Sequence, residues 1–415
     1  MFENVLYQSA SRLLKEAIQK NTLPPSVLFA GPAGSGKLTS ALETARVLSC
    51  VENPKGKWEC KCESCLRHKS MVSPNLLLVG SGNKTLEISA SKHTLLQESI
   101  NNSNHIEAAR YLYIRAVRKL TTRFNPVLWE DDDKISKISP IVQEIEELIE
   151  PLEPAHNLIE HSEIEKILNQ VQNLCEKLES SFLYENLPIN QIRNISSWAH
   201  LSANNGKKIV IIENAEKMVE SSRNALLKIL EEPPEDVVFI LTSSNRGAIL
   251  PTILSRVRTY SFFERSLEQQ INLIERVYHS SPKINSQNKK YDVNDFLLSY
   301  LPVNPDLIKF KAKEFYDCIA QGHIADTKSL CEECGNFQPK ILFKIFMQEL
   351  FSLQRYLFKT SAGCESSAKI VKELGRIYNN VTVFNQNPRA ALEELTRSIM
   401  QINYLNNGIL RNAEQ

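Results

Sequence analysis

The apolar run Val27-Leu28-Phe29-Ala30 passes directly into Gly31-Pro32-Ala33-Gly34-Ser35-Gly36-Lys37, a turn of the form G-x-x-x-x-G-K. Few architectures accept that order. The run is short and apolar enough for a buried strand, and Leu38-Thr39-Ser40-Ala41-Leu42-Glu43-Thr44-Ala45 continues at helical spacing, which predicts strand, loop and helix in succession. In a phosphate-binding loop the glycines let backbone N–H groups curl toward phosphate oxygens. The lysine reaches the outer oxygens, and the helix N-terminus adds its positive end. Gly31, Gly34, Ser35, Gly36, Lys37, Leu38 and Thr39 are therefore the candidate nucleotide-binding residues. The pattern breaks at one of them. After the lysine it asks for Ser or Thr, whose hydroxyl ligates Mg²⁺, and Leu38 has no oxygen to give. Thr39 stands one place too late. The loop keeps its backbone means of holding a nucleotide and loses its side-chain ligand for magnesium.

A chain of 415 residues with 42% apolar content has material for about two to four packed domains. Its formal charge of +1 argues against a protein that grips nucleic acid alone through a large basic field, because neutralising phosphates needs clustered Lys and Arg. Met1-Phe2-Glu3-Asn4 lacks the basic and apolar regions of a signal peptide, and no run approaches the roughly 20 apolar residues of a membrane span. The expected location is the cytoplasm, with no membrane partner. In that reducing compartment the nine unevenly spread cysteines favour metal ligation over disulfides.

Residues 2–22 read as a helix with Leu13, Leu14, Ala17 and Ile18 at core spacing. Beyond the loop helix, Cys50, Cys60, Cys62 and Cys65 form C-x9-C-x-C-x2-C, a full set of thiolates for a structural Zn²⁺ in a module of about 50–68. The tight C-x-C pair leaves His68 open as a substitute ligand. Cys331 and Cys334 make a lone pair that cannot complete a four-ligand site. Leu76-Leu77-Leu78-Val79 reads as a second buried strand. From about 82 to 185 the chain turns polar and helical, which predicts an inserted hairpin or small bundle whose apolar stripe is Ile164, Leu168, Val171, Cys175, Leu178 and Phe182. Arg110, Arg115, Arg118, Lys119 and Arg123 form a basic face there, open to two readings: a DNA contact or a solvated helix face.

Ile209-Val210-Ile211-Ile212 is a β-branched strand ending in Glu213-Asn214. A nucleotide-hydrolysing site wants Asp-Glu there, one carboxylate for the metal and the next to activate water. Glu213 can serve the first role with a longer arm. Asn214 has no carboxylate for the second.

Asn224-Ala225-Leu226-Leu227-Lys228-Ile229-Leu230-Glu231-Glu232-Pro233-Pro234, Val237-Val238-Phe239-Ile240-Leu241-Thr242-Ser243-Ser244 and Pro251-Thr252-Ile253-Leu254-Ser255-Arg256-Val257 resemble the AAA+ clamp-loader subunits of bacterial DNA polymerase III. The resemblance runs over 2–80 and 187–263, with the 82–185 stretch outside it. It implies an α/β AAA+ P-loop domain with a parallel five-stranded sheet over 1–264, an all-α lid over 265–330 and an all-α collar over 331–415. Motor subunits, gamma or tau, are similar to one another in having Thr or Ser after the loop lysine, Asp-Glu on the acidic strand and Ser-Arg-Cys at the finger. This chain has Leu38, Glu213-Asn214 and Ser255-Arg256-Val257, and Ala325 stands where the lid's sensor arginine would be. Asn387-Pro388 and Leu392-Glu393 resemble the collar ending of the delta-prime type. The resemblance therefore implies a delta-prime stator, with ATP held but little hydrolysed and Arg256 lent in trans to a neighbour's ATP. Its partners would be gamma/tau and delta subunits in a five-membered ring, the sliding clamp and primed DNA. A motor ATPase and a DNA-binding repair adaptor are the competing expectations.

Overall fold

The computed structural model describes residues 1–405 apart from 53–54, 102, 158, 202–205, 282–290, 360, 383 and 385. Ser26–Ala30 (β1), Leu76–Gly80 (β2), Lys208–Glu213 (β3), Val237–Ser243 (β4) and Arg258–Ser261 (β5) form one parallel sheet in the order β2-β3-β4-β1-β5. The first four strands are apolar with little alternation because a parallel sheet is covered on both faces. The helices of this part are Ala10–Gln19 (α1), Lys37–Ser49 (α2), Glu63–Lys69 (α3), Thr85–Ile100 (α4), Ile106–Thr121 (α5) and Ile135–Ile149 (α6). His161–Phe182 (α7), Ile189–His200 (α8), Glu220–Glu231 (α9), Pro251–Leu254 (α10) and Leu267–Tyr278 (α11) follow.

Because side chains alternate along a strand, the sheet builds two cores. Val27, Phe29, Leu76, Leu78, Ile209, Ile211 and Ile240 pack with Leu14 of α1 and Ala41, Leu42 and Ala45 of α2. Their alternates Leu28, Leu77, Val79, Val210, Ile212, Phe239 and Leu241 share the other core with Ile88, Tyr113, Val117, Ile145, Leu168 and Val171. Those last six lie on α4 to α7, so the stretch expected as an inserted bundle is the cover of the sheet's second face. The stripe expected on α7 is buried as read at Ile164, Leu168, Val171, Cys175 and Leu178. The outer faces of these helices are polar, and buried groups such as Ser91, Thr94, Arg110 and Arg118 add to them, so polarity dominates the linear sequence. The first helix is shorter than expected, beginning at Ala10, with Leu14 and Ala17 buried and Leu13 48% exposed.

Contacts divide the chain into units Met1–Leu297 and Leu298–Gln415. The helix Val293–Leu298 (α12) runs into the division. The second unit is helical: Pro305–Ala320 (α13), Thr327–Glu333 (α14), Ile341–Leu353 (α15), Ser361–Thr382 (α16) and Pro388–Leu405 (α17). Asn304 caps α13 with Pro305 at its first position, and Asp326 caps α14 by accepting from the N–H groups of Lys328 and Ser329. Phe315, Phe337, Phe343 and Phe346 meet edge to face in its core, and Arg376 of α16 pairs with Glu394 of α17 at 2.6 Å. Cys331 and Cys334 are buried in this unit. The parts of the expected lid and collar that fall on 282–290 and 406–415 lie outside the described residues. Among the described residues no helix is long and apolar enough to cross a membrane.

Candidate functional site

Strand register decides what meets at the carboxyl edge of the sheet, where open α/β folds place their ligands. Ala30 pairs with Ser243 and Gly80 with Glu213, so the loop after β1, the end of β4 and the acidic end of β3 sit side by side. Gly31 donates its N–H to the Ser243 carbonyl at 3.1 Å, and a Cβ there would lie 2.3 Å from the Phe262 carbonyl oxygen. Gly34 and Gly36 adopt φ of 70° and 91°, the left-handed region that favours glycine. Lys37 opens α2. Its Nζ donates to the carbonyls of Gly31 at 2.7 Å and Pro32 at 2.5 Å. Burial pulls this ammonium down to about 8, against the opposing pull of the Glu216 and Glu213 carboxylates. Ser35 is buried beside it, 3.5 Å from Oγ to Nζ, while Leu38 packs against the first core. Thr39 lies further along α2.

Glu213 has both carboxylate oxygens taken. Oε1 accepts from Lys84 Nζ at 2.9 Å, and Oε2 accepts from Arg123 Nη2. These two cations hold its carboxyl at about 2 although burial alone would raise it. Asn214, at φ 55° and ψ 53°, donates Nδ2 to the Ser81 carbonyl at 2.6 Å. The residues present therefore do not fit Mg²⁺: Leu38 lacks an oxygen, Glu213 is paired twice, and the Asn214 amide is spent on backbone.

Arg256 follows α10 on the surface. Its Nη2 meets Glu231 Oε1 at 2.6 Å and its Nη1 donates to the Thr252 carbonyl at 2.8 Å, with its side chain 32% exposed. The expected basic face does not exist as a face. Arg110 donates to the carbonyls of Leu152, Pro151, Glu153 and His156, and Arg115 to that of Lys69. Arg118 pairs with Glu146 and Glu153, Lys119 with Glu87, and Arg123 with Glu213. Both readings of that face, solvated or DNA-bound, yield to internal pairing, because groups at 69, 87, 146–156 and 213 pack against these side chains.

The sulfurs of Cys50, Cys60, Cys62 and Cys65 lie within 4.8 Å of one another, a donor set compatible with a structural metal. Cys62 caps α3, and although burial works against ionisation, the N–H groups of Val51 and Cys65 bring its thiol down to about 7. Buried Arg46 steadies the module. It is paired with Glu43 at 2.7 Å, donates to the Gly56 carbonyl at 2.8 Å and reaches Cys65 Sγ at 3.3 Å. His68 stands outside this cluster, with Nε2 3.2 Å from Ser73 Oγ.

The family described as DNA polymerase III, delta subunit, matches residues 7–128 and 141–266, more than half of the chain. The chain belongs to that family. Similar members include the delta-prime subunits of Haemophilus influenzae, 35% identical over 19% of this chain and 24% of the relative, and of Buchnera aphidicola, 33% identical over 27% and 33%. A gamma/tau subunit of Mycobacterium tuberculosis is 42% identical over 13% of this chain and 10% of its own. A solved gamma-subunit-related protein of Thermotoga maritima aligns at 19% identity and a TM-score of 0.25 over 57% of this chain and 89% of that one. The chain thus spans a third or less of the length of these curated relatives. The delta-subunit family match also runs through most of 82–185, so the helical cover of the sheet lies inside the resemblance and not outside it.

Three residues of this edge carry no local sequence signal. Lys84 sits in a polar stretch, and only the pairing of Gly80 with Glu213 brings the start of α4 to the acid. Arg123 reads as one of five basic residues. Arg265, just past β5, donates Nη1 to the Gly34 carbonyl at 2.8 Å and Nε and Nη2 to the Leu6 carbonyl at 3.1 and 3.0 Å, tying the loop to the N-terminal segment.

Proposed function

We propose that this chain is a delta-prime-type subunit of the DNA polymerase III clamp loader, a mostly non-hydrolysing AAA+ stator in the cytoplasm. In this reading it joins gamma/tau and delta subunits in a five-membered ring that places the sliding clamp on primed DNA. Residues 1–264 form the nucleotide-binding domain, 265–330 the lid and 331–415 the collar. The loop of Gly31, Gly34, Ser35, Gly36 and Lys37 holds ATP, and Arg256 is lent to a neighbour's ATP, since a guanidinium is always charged and meets two phosphate oxygens at once.

The observation that carries the stator reading over the motor is Asn214. Where a water-activating carboxylate would stand there is an amide whose Nδ2 is committed to the Ser81 carbonyl. The purified chain, given clamp, primed DNA and Mg²⁺-ATP, is expected to show negligible ATP turnover. Turnover comparable to a motor subunit and abolished by Lys37→Ala would assign the chain to the motors.

The cysteine module is proposed to hold Zn²⁺. A Zn–S bond of about 2.3 Å sets tetrahedral sulfurs about 3.8 Å apart, and Cys50 and Cys60 lie 3.8 Å apart sulfur to sulfur. The ion's part is structural: it ties the N-terminus of α3 to the end of α2. Elemental analysis is expected to find about one zinc per chain, falling to none in Cys50→Ser/Cys65→Ser. A fully folded, metal-free preparation would sink the assignment.

A further inference from the structure

Glu213 ends β3 at the place where a nucleotide-bound cation would meet the sheet, and the helical cover of the second core sends two side chains to it. Lys84 comes from the start of α4 and Arg123 from the turn after α5; each takes a different oxygen of the carboxylate. We propose that Lys84 and Arg123 stand in place of a divalent cation on Glu213 and close this carboxylate to divalent metal. The proposal rests on the reading of this edge as a nucleotide site. It assigns a task to the α4–α7 layer beyond covering the sheet.

Charge and position support it together. Lys84 is 9% exposed, Arg123 1% and Glu213 13% by side chain, and although Glu87 and Glu179 beside Lys84 offset part of the positive charge, both oxygens of Glu213 are held by buried cations that an arriving dication would have to displace. Neither cation is loosely placed. Glu179 of α7 accepts from the backbone N–H of Lys84 at 2.5 Å, from that of Thr85 at 3.0 Å and from the Thr85 hydroxyl at 2.8 Å, which fixes the first turn of α4. Arg123 donates Nε to the Gly80 carbonyl at 3.2 Å, and its own carbonyl accepts from Trp129 Nε1 at 2.8 Å. An ammonium on a tethered helix start cannot leave as a hydrated ion does. The competition is therefore intramolecular, and it weakens metal binding by a fixed factor set by the effective concentration of the ammonium.

Mn²⁺ is the probe, titrated into the full-length chain and read by loss of the free-ion paramagnetic resonance signal, without nucleotide. The wild type is expected to bind Mn²⁺ no better than millimolar, unchanged in Glu213→Gln. Lys84→Met keeps the Arg123–Glu213 pair neutral and frees Oε1, and should bind Mn²⁺ about tenfold more tightly than the wild type, though still weakly, because Leu38 and Asn214 supply no further ligand. That gain should vanish in Lys84→Met/Glu213→Gln. Lys84→Gln, which keeps a donor for Oε1 without the charge, carries the same test if the Met variant does not fold. The proposal is overturned if the wild type holds a submillimolar Mn²⁺ that Glu213→Gln removes, or if a folded Lys84 variant binds no better than the wild type. Because the readout is metal binding by the free chain, this proposal can fail while the ring role stands, and the ring role can fail while this one holds.

Discussion

Glu213→Gln is expected to lower the unfolding free energy of the free chain by about 3–5 kcal/mol, the range for removing one partner from a buried ionic group. The cost comes from what is left behind. Lys84 and Arg123 would face each other at low exposure with no anion between them, and Arg123 Nη1 has no partner among the described residues to begin with. The same carboxylate predicts a pH dependence. It titrates at about 2 in the folded chain against 4.5 for an unperturbed glutamate, so its stabilisation is complete above about pH 4.5 and is lost as pH falls toward 2. Urea midpoints for wild type and Glu213→Gln should therefore draw closer as pH falls from about 4.5 to 3, without yet meeting. Removing the acid and one cation together, as in Lys84→Met/Glu213→Gln, should recover part of the loss. A loss below about 1 kcal/mol at pH 7 would mean that the triad is solvated in solution and not a closed ionic unit.

Arg256→Ala should leave this chain's own stability within about 1 kcal/mol of wild type, because its pair with Glu231 is exposed on both sides. Its effect is expected in trans. In a ring rebuilt with the cognate motor and delta subunits, hydrolysis at the interface that Arg256 completes should fall by about 10³ or more. Total turnover should fall only by that interface's share. Arg256→Lys should behave like the alanine variant, since it keeps the charge and loses the planar two-pronged contact. To reach a phosphate the guanidinium must exchange Glu231 for the ligand. Glu231→Gln, which weakens the resting pair, should therefore leave loading intact. If both Arg256 variants assemble and load clamps at the normal rate, Arg256 is a surface residue and its lending in trans to a neighbour's ATP is withdrawn.

Much of the first unit was legible in the order of residues. Gly31 to Lys37 between an apolar run and an amphipathic one can be little else than strand, loop and helix, since the backbone angles at Gly34 and Gly36 exclude most side chains. The four cysteines likewise announce their grouping, because ligands within sixteen residues need only a short turn to meet. Leu38 and Asn214 were readable as missing chemistry for a related reason. A side chain without the needed oxygen lacks it in any fold.

Tertiary structure decided the rest, and it did so where partners are far apart in the chain. The face to which a basic residue on or just after α5 turns depends on what packs against that helix, so of five cations that look like one surface in the sequence, three became internal ion pairs and two donate to backbone carbonyls. The polar stretch from 82 to 185 likewise became the cover of a sheet whose strands lie outside it. The state of Glu213 lies further still from any local pattern. Its partners come from 129 and 90 residues away, and only the parallel register of β2 with β3 and the fixed start of α4 bring them within bonding distance. Short-range sterics and side-chain chemistry travel with the sequence; the neutralisation of a buried charge belongs to the fold, because it requires groups that only packing makes neighbours.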